Sequence, residues 1–236
     1  MKVAIMQPYL FPYIGYFQLI YSVDTFIFYD NVQYIQGGWI NRNRISSKNG
    51  EHLFTFSIQD DHYQKKISER KFTEKFEFEQ RKFEKTINAA YRRAPYYEEV
   101  VELLRKIFEF DHSCLSDFIS VQIELISRHL NITPTFLKAS DMMEENEDDN
   151  TQAQERVIHL CKKAGGDTYI NLYGGRSLYS KSSFLNQELE LLFLKPELNP
   201  YPQFHSTFIP SLSIIDVLMF NSKDQIAEML KEFDLE

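Results

Sequence analysis

The opening of the chain alternates a short apolar run, a loop, a helical pattern and a second apolar run, and this order constrains the fold most. Residues 3–6 are apolar and end at Gln7 and Pro8, which is typical of a buried strand that leads into a loop. Residues 14–23 place apolar side chains on one helix face, and residues 25–29 indicate a second buried strand. A crossover of this length favours a parallel pair, so ligands are expected beyond the carboxyl ends of both strands. Those ends are residues 7–15 and 30–34.

The rest of the chain predicts a hairpin, a helical stretch and a return to alternating strands and helices. The Lys48-Asn49-Gly50 turn predicts a hairpin over residues 41–58. Residues 76–131 predict three successive helices. Further predicted elements are strands at 134–138, 168–172 and 189–194, an acidic loop at 141–150, a helix at 152–163 and two closing helices within 213–233. We therefore predict an α/β fold with a mainly parallel, Rossmann-like sheet, in one domain (1–236) that carries residues 76–131 as a helical insert.

Charge and composition bear on the classes of partner. The net charge of −8 leaves no broad basic surface, so no nucleic-acid partner is expected. No apolar run reaches the roughly 18 residues of a membrane span, and Pro8 comes too early for a signal peptide, so a cytoplasmic location is expected. The histidines and cysteines lack metal-ligand spacing, so neither a metal nor a cofactor is expected. The 14 tyrosines suit pocket walls or interfaces, which favours a small-molecule site and leaves a homo-oligomer open.

The segment from Gln7 to Tyr16 is the first candidate site. It stands where a strand passes into a helix, whose free N–H groups attract phosphate, and Gly15 would let a ligand approach the main chain. The alternative is that its prolines and glycine only shape a turn while the aromatic rings pack. The segment is also similar to the start of nucleotidyltransferases that carry His-Ile-Gly-His, with Tyr13-Ile14-Gly15-Tyr16 at that place. Because a tyrosine carries no positive charge near neutral pH, this similarity predicts a nucleotide pocket and does not support adenylyl transfer.

The segment from Asp30 to Arg44 is the second candidate. Arg42 and Arg44 are two residues apart on a predicted strand, so they point to one side and could hold a pyrophosphate or a carboxylate. Trp39 offers a flat face for a sugar or a base. The alternative is that the arginines are solvated and the tryptophan lies in the core. The candidate polar residues of this segment are Asp30, Asn41, Arg42, Asn43 and Arg44.

Two later segments are weaker candidates. Gly174 and Gly175 follow a predicted strand and could form an anion-binding turn with Arg176 at its rim, although a plain tight turn explains them equally well. Asp216 could be catalytic, but Ser213 and Asp216 have the spacing of a capping box, which accounts for both residues.

Four blocks of the sequence resemble the WbqC-like protein family. They are QPYLFPYIGYFQLI, FYDNVQYIQGGWINRNRI, NLYGGRSLY and YPQ…FIPSLSIIDVLMFN, and they span nearly the whole chain. The resemblance implies a role in making O-antigen or another bacterial surface polysaccharide, as a transferase that acts on a nucleotide-activated or amino sugar. It supplies no catalytic residues to carry over. Asn31 stands where the family usually has the second residue of an Asp-Asp pair, which weakens a scheme with two carboxylates or a metal.

Two functional hypotheses follow from these segments. In the first, a transferase site is lined by Gln7, Tyr13 and Gly15, the arginines hold phosphate or carboxylate, and Asp30 is the general base. In the second, the chain is a noncatalytic module that binds a sugar nucleotide or a partner protein through exposed aromatic residues. Both hypotheses require the N-terminal loop and the Trp-Arg segment to meet at one cleft beside the sheet.

Overall fold

A six-stranded sheet forms the centre of the protein, as shown by a computed structural model that describes residues 1–62, 64–111, 113–143 and 153–236. The strand order is β5-β2-β1-β6-β7-β8, and every neighbouring pair is parallel except β7 with β8. The predicted α/β fold with a mainly parallel sheet is confirmed. The strands of this sheet are β1 (Lys2–Met6), β2 (Thr25–Phe28), β5 (Thr135–Lys138), β6 (Thr168–Leu172), β7 (Glu190–Pro196) and β8 (Phe233–Leu235).

The direction in which the sheet grows reverses at β1. The chain moves from β1 to β2 and β5 on one side, and then places β6 and β7 on the other side. Such a reversal leaves a crevice outside the carboxyl ends of the two strands that flank it, where ligands of open α/β sheets bind. The residues that follow β1 and β6 therefore stand at the favoured edge of this sheet.

Alternating side chains of the strands enter two separate cores. Val3 and Ile5 belong to a cluster with α6 and α7, whereas Ala4 packs into the larger cluster on the opposite face. This alternation is what the period of two along a strand requires when helices cover both faces. The helices are α1 (Ile14–Tyr21), α2 (Phe76–Tyr91), α3 (Tyr97–Phe108), α4 (Leu115–His129), α5 (Ala139–Met142), α6 (Ala153–Lys163), α7 (Lys181–Leu185), α8 (Ile214–Phe220) and α9 (Lys223–Met229).

The predicted hairpin forms a second, two-stranded sheet. Its strands are β3 (Arg42–Ser47) and β4 (Gly50–Thr55), which pair antiparallel, and Gly50 takes a φ of 105° after the turn. Phenylalanines of the hairpin segment pack with those of α2 and α3, for example Phe54 against Phe83 at 4.8 Å and Phe56 against Phe108 at 5.9 Å between ring centroids. The predicted helical insert thus contributes to the larger core of the sheet, and the assignment of domain boundaries stays a prediction.

Two details differ from the sequence prediction. The chain does not end in a helix: α9 stops at Met229, and the final residues form β8 on the edge of the sheet. The predicted acidic loop at 141–150 lies mostly outside the described residues, which show only that its start belongs to α5. Within the described part of the chain, no helix combines the length and apolarity needed to cross a membrane.

Candidate functional site

The N-terminal loop and the Trp-Arg segment meet beside the carboxyl edge of the sheet. The Leu10 N–H donates to the Ile40 carbonyl at 3.0 Å. The buried Asn43 amide donates to the carbonyls of Leu10 and Phe11 at 2.8 and 2.7 Å, and its Oδ1 accepts from the Arg44 N–H at 2.8 Å. One side chain of β3 therefore holds the loop that follows β1 in place.

The loop is held in a backbone conformation that its residues rarely adopt. Phe11 has a φ of 45°, which is uncommon for an aromatic residue. Its N–H donates to Oε1 of the buried Gln122 on α4 at 3.1 Å, and its carbonyl accepts from Asn43. Side chains from two other elements thus fix this strained residue, as expected where local geometry serves a site.

The two segments enclose a cleft of about 380 Å³, which we call the Trp39 cleft. Pro196 ends β7, so the cleft adjoins the carboxyl edge of the sheet. The start of α8 closes the wall of the cleft. The Ser213 N–H donates to the Arg44 carbonyl at 2.9 Å, and the Ile214 N–H donates to the Pro12 carbonyl at 2.8 Å. The cleft is lined by Tyr9, Tyr13, Trp39, Asn43, Arg44, Pro196, Leu198 and Ser211.

Tyrosines form the wall on the side of the N-terminal loop. Tyr9 and Tyr16 pack edge to face at 5.2 Å, and the Tyr16 hydroxyl donates to the Gln7 carbonyl at 3.1 Å. Burial raises the pKa of Tyr9 and of Tyr13 above the ordinary value, so both remain neutral hydroxyls at physiological pH. A Cβ atom on Gly15 would stand 2.5 Å from the ring of Tyr13. The space left by this glycine is therefore filled by the tyrosine ring.

Trp39 and Arg44 form the opposite wall, and Arg42 contacts Trp39 from outside the cleft. The ring is 47% exposed, and the guanidinium carbons of Arg42 and Arg44 lie 5.7 and 5.4 Å from its centroid. Arg44 forms an ion pair with Glu51 at 2.7 Å, whereas Arg42 donates to the Gly37 carbonyl. Arg42 lines a neighbouring polar cleft of about 770 Å³ together with Tyr34 and Arg70, among other residues. The two guanidiniums thus contact one tryptophan but face two clefts.

Asn41 fastens the hairpin. Its Oδ1 accepts from the Tyr34 hydroxyl at 2.7 Å, and its Nδ2 donates to the Phe56 carbonyl at 2.7 Å. The side chain is buried, and its two hydrogen bonds join the segment before β3 to the end of β4. Asn41 and Asn43 therefore hold in place the backbone segments that shape the site.

Asp30 lies at the carboxyl end of β2 and ties three elements together. Its carboxylate accepts from Ser116 Oγ of α4 at 2.8 Å and from both N–H and Oγ of Ser140 on α5, at 2.9 and 2.8 Å. The side chain is 1% exposed and is not among the residues that line the Trp39 cleft. Gln7 likewise follows its strand at the same edge without lining the cleft.

The Gly-Gly-Arg segment stands at the same edge of the sheet but outside the Trp39 cleft. Residues 173–178 form a 3-10 helix directly after β6. Arg176 donates to the Tyr173 hydroxyl at 3.1 Å and lies 3.6 Å from Glu236. A Cβ atom on Gly174 would meet open space, whereas one on Gly175 would stand 3.0 Å from the Asn171 side chain. Anion binding by this segment stays a prediction.

Asp216 forms a buried hydrogen-bond network that the sequence patterns did not reveal. Its carboxylate accepts from the hydroxyls of Tyr91 and Tyr201, both at 2.7 Å, and from Gln203 Nε2 at 2.8 Å. Ser213 does cap α8, but the carboxylate turns away from the cap, so the interpretation of Asp216 as part of a capping box is wrong. A lone acid within a helix of otherwise apolar residues was the signal for buried partners.

Comparisons with known proteins agree with the resemblance in the sequence. The family model described as "WbqC-like protein family" matches residues 7–228. The uncharacterized protein Rv1507c of Mycobacterium tuberculosis is 30% identical over 233 residues, which cover 98% of this chain and 97% of that protein. No solved structure matches significantly. With a family match over nearly its whole length and a relative that aligns from end to end, the chain belongs to the WbqC-like protein family.

Proposed function

We propose that this protein takes part in the biosynthesis of a bacterial surface polysaccharide of the O-antigen type, as a transferase that binds a nucleotide-activated or amino sugar in the Trp39 cleft. One observation carries the proposal. An aromatic cleft with an arginine at its wall adjoins the carboxyl edge of a mainly parallel sheet, close to β1, where the strand order reverses. Ligands of open α/β sheets bind in this position.

The chemistry of the lining suits such a ligand. Trp39 presents a half-exposed ring on which a sugar or a base can stack. Arg44 can hold a phosphate or a carboxylate, since its bond to Glu51 uses Nη1 and leaves Nη2 of the guanidinium to donate to a ligand. Tyr9 and Tyr13 remain protonated, so their hydroxyls can donate to sugar oxygens.

A noncatalytic binding module is the second candidate, and a specific observation favours it. The eight described residues that line the cleft include no carboxylate, thiol or imidazole. Asp30, proposed as the general base, has its carboxylate occupied by three hydrogen bonds. Under this reading the protein presents a sugar nucleotide or a partner without proton transfer.

Ligand binding in the Trp39 cleft can be tested by thermal unfolding with a panel of nucleotide sugars, nucleoside triphosphates and acyl donors. A nucleotide sugar at about 100 times its Kd should raise the Tm by roughly 5 °C or more, because it stabilises only the native state. Trp39→Leu should abolish the shift. Phe78→Leu, which changes a 65% exposed aromatic residue on α2, is the matched control and should retain it. A panel without any shift, or an equal shift in Trp39→Leu, would contradict the proposal.

The ligand that this panel identifies makes it possible to separate a catalytic role of Asp30 from its structural role. Asp30→Asn should lower the free energy of unfolding by about 1–2 kcal/mol, since the amide keeps the shape but loses one acceptor. If Asp30 is the general base, turnover of the bound donor falls by about 100-fold or more while the ligand-induced Tm shift is retained. Turnover equal to that of the wild type would remove Asp30 from the mechanism and leave it the structural role described above.

A further inference from the structure

A cavity of about 440 Å³ lies where the turn of the hairpin meets the end of α2 and residues 204–205. Its lining contains the cations Lys48, Arg92 and Arg93 and the histidine His205. None of the described residues that line it is acidic. On a chain with a net charge of −8, this is a concentration of positive charge in a concave site.

The three cations are not neutralised by neighbouring acids. Within the described ranges, Lys48, Arg92 and Arg93 form no ion pair, in contrast to Arg44 on the same hairpin, which pairs with Glu51. Because like charges that share a cavity repel one another, their proximity raises the energy of the empty site. A bound anion would relieve that repulsion.

The C-terminus of α2 explains the presence of only some of these basic residues. Arg92 and Arg93 follow α2, and cations are favourable near a helix C-terminus. Lys48 comes from the hairpin turn and His205 from the segment between β7 and α8, so the dipole of α2 does not account for their presence. Three separate segments of the chain therefore bring basic groups to one cavity.

An exposed aromatic ring stands among these basic groups. Phe204 is 49% exposed, although its ring packs edge to face on Phe220 at 4.9 Å. The Arg93 guanidinium carbon lies 5.7 Å from its centroid. Because the Phe204 ring packs on Phe220 and is still half exposed, it can contact a flat group of a ligand whose anion binds the neighbouring cations.

We propose that this cavity binds the phosphate or diphosphate group of a ligand, at a site separate from the Trp39 cleft. Arg92 and Arg93 supply guanidinium forks that match phosphate oxygens, and Lys48 adds a point charge. His205 Nε2 lies 2.6 Å from the Ser47 carbonyl and therefore donates to it, which fixes the ring at the wall. The two sites share no lining residue, so this proposal stands whether or not the Trp39 cleft binds a sugar nucleotide.

Isothermal titration calorimetry with inorganic pyrophosphate at an ionic strength of about 0.15 M tests the site. The double variant Arg92→Gln/Arg93→Gln should weaken binding by about tenfold or more, since each guanidinium supplies charge-assisted hydrogen bonds. The double variant Arg81→Gln/Lys85→Gln is the control, because it removes the same charge from exposed positions of α2, the helix that Arg92 and Arg93 follow. It should bind pyrophosphate within about twofold of the wild type, because at this ionic strength the Debye length is only about 8 Å and charges outside the cavity are largely screened.

Three outcomes of this titration would overturn the proposal. They are an absence of pyrophosphate binding by the wild type at millimolar concentration, an equal loss in both double variants, and unchanged affinity in Arg92→Gln/Arg93→Gln. The Tm without ligand verifies that all variants are folded. Uridine diphosphate and phosphatidic acid vesicles then distinguish a nucleotide from a lipid headgroup as the source of the phosphate. Whichever binds should be lost in Arg92→Gln/Arg93→Gln alone, and retention of both by that variant would contradict the site.

Discussion

Replacing Asn43 by aspartate should lower the free energy of unfolding by about 3–5 kcal/mol at neutral pH, although the two side chains have nearly the same shape. The Asn43 amide donates to the carbonyls of Leu10 and Phe11 at 2.8 and 2.7 Å. A carboxylate has no proton for these bonds and would direct its charge at two carbonyl oxygens in a buried place. Unfolding in urea measures the change.

The loss should depend on pH in a defined direction. Burial and the facing carbonyls raise the pKa of the new carboxyl in the folded state above its unfolded value of about 3.9. Stability is therefore retained below that value, where the acid is protonated, and is lost as the pH rises through the folded pKa. Asn49→Asp, in the exposed hairpin turn, is the control for the added charge and should change stability by less than about 0.5 kcal/mol. Equal effects of the two substitutions would show that Asn43 does not hold the loop.

Replacing Asp216 by alanine should lower the free energy of unfolding by about 3–5 kcal/mol, because three donors lose their buried acceptor together. Tyr91, Tyr201 and Gln203 all donate to this carboxylate, which is fully buried. Asp216→Asn keeps the shape and one acceptor oxygen, so its cost should be about 1–2 kcal/mol. Unfolding in urea over a series of pH values measures both variants.

The same titration gives a second readout for Asp216. Burial is the main cause that raises the pKa of this carboxyl, while the hydrogen bonds from Tyr91, Tyr201 and Gln203 oppose it. A raised folded pKa contributes stability below the unfolded pKa, and this contribution is lost as the pH rises through the folded value. The wild type should thus lose stability relative to Asp216→Asn over that window. Parallel pH curves for the two proteins would contradict a raised pKa.

Much of the fold could be predicted because its signals are local. The apolar runs before Gln7 and Asp30 mark β1 and β2, and the Asn-Gly turn marks the hairpin. The order of strands is not local, since the pairing of β1 with β6 depends on packing between distant residues. The short β8 carries too few residues for a periodic pattern, so the closing strand was missed.

The candidate site shows the same division between local and distant information. Arg42 and Arg44 lie on one side of β3, as their spacing predicts, and both contact Trp39. Because side chains alternate along a strand, Asn43 points to the opposite side, where it donates to the Leu10 carbonyl of the loop. The alternation of a strand therefore separates Asn43 from the two arginines in the sequence. The partners of Asp30 and Asp216 come from distant helices and loops, and no local motif identifies them.

The reversal of strand order at β1 has a consequence for synthesis on the ribosome. One edge of β1 can pair with β2 as soon as β2 itself has emerged, but the other edge waits for β6, because Val3 pairs with Tyr169. Until then a newly made chain presents an apolar strand edge to its surroundings, which invites pairing with other chains. Nascent chains that stop before β6 should therefore be the species that chaperones retain.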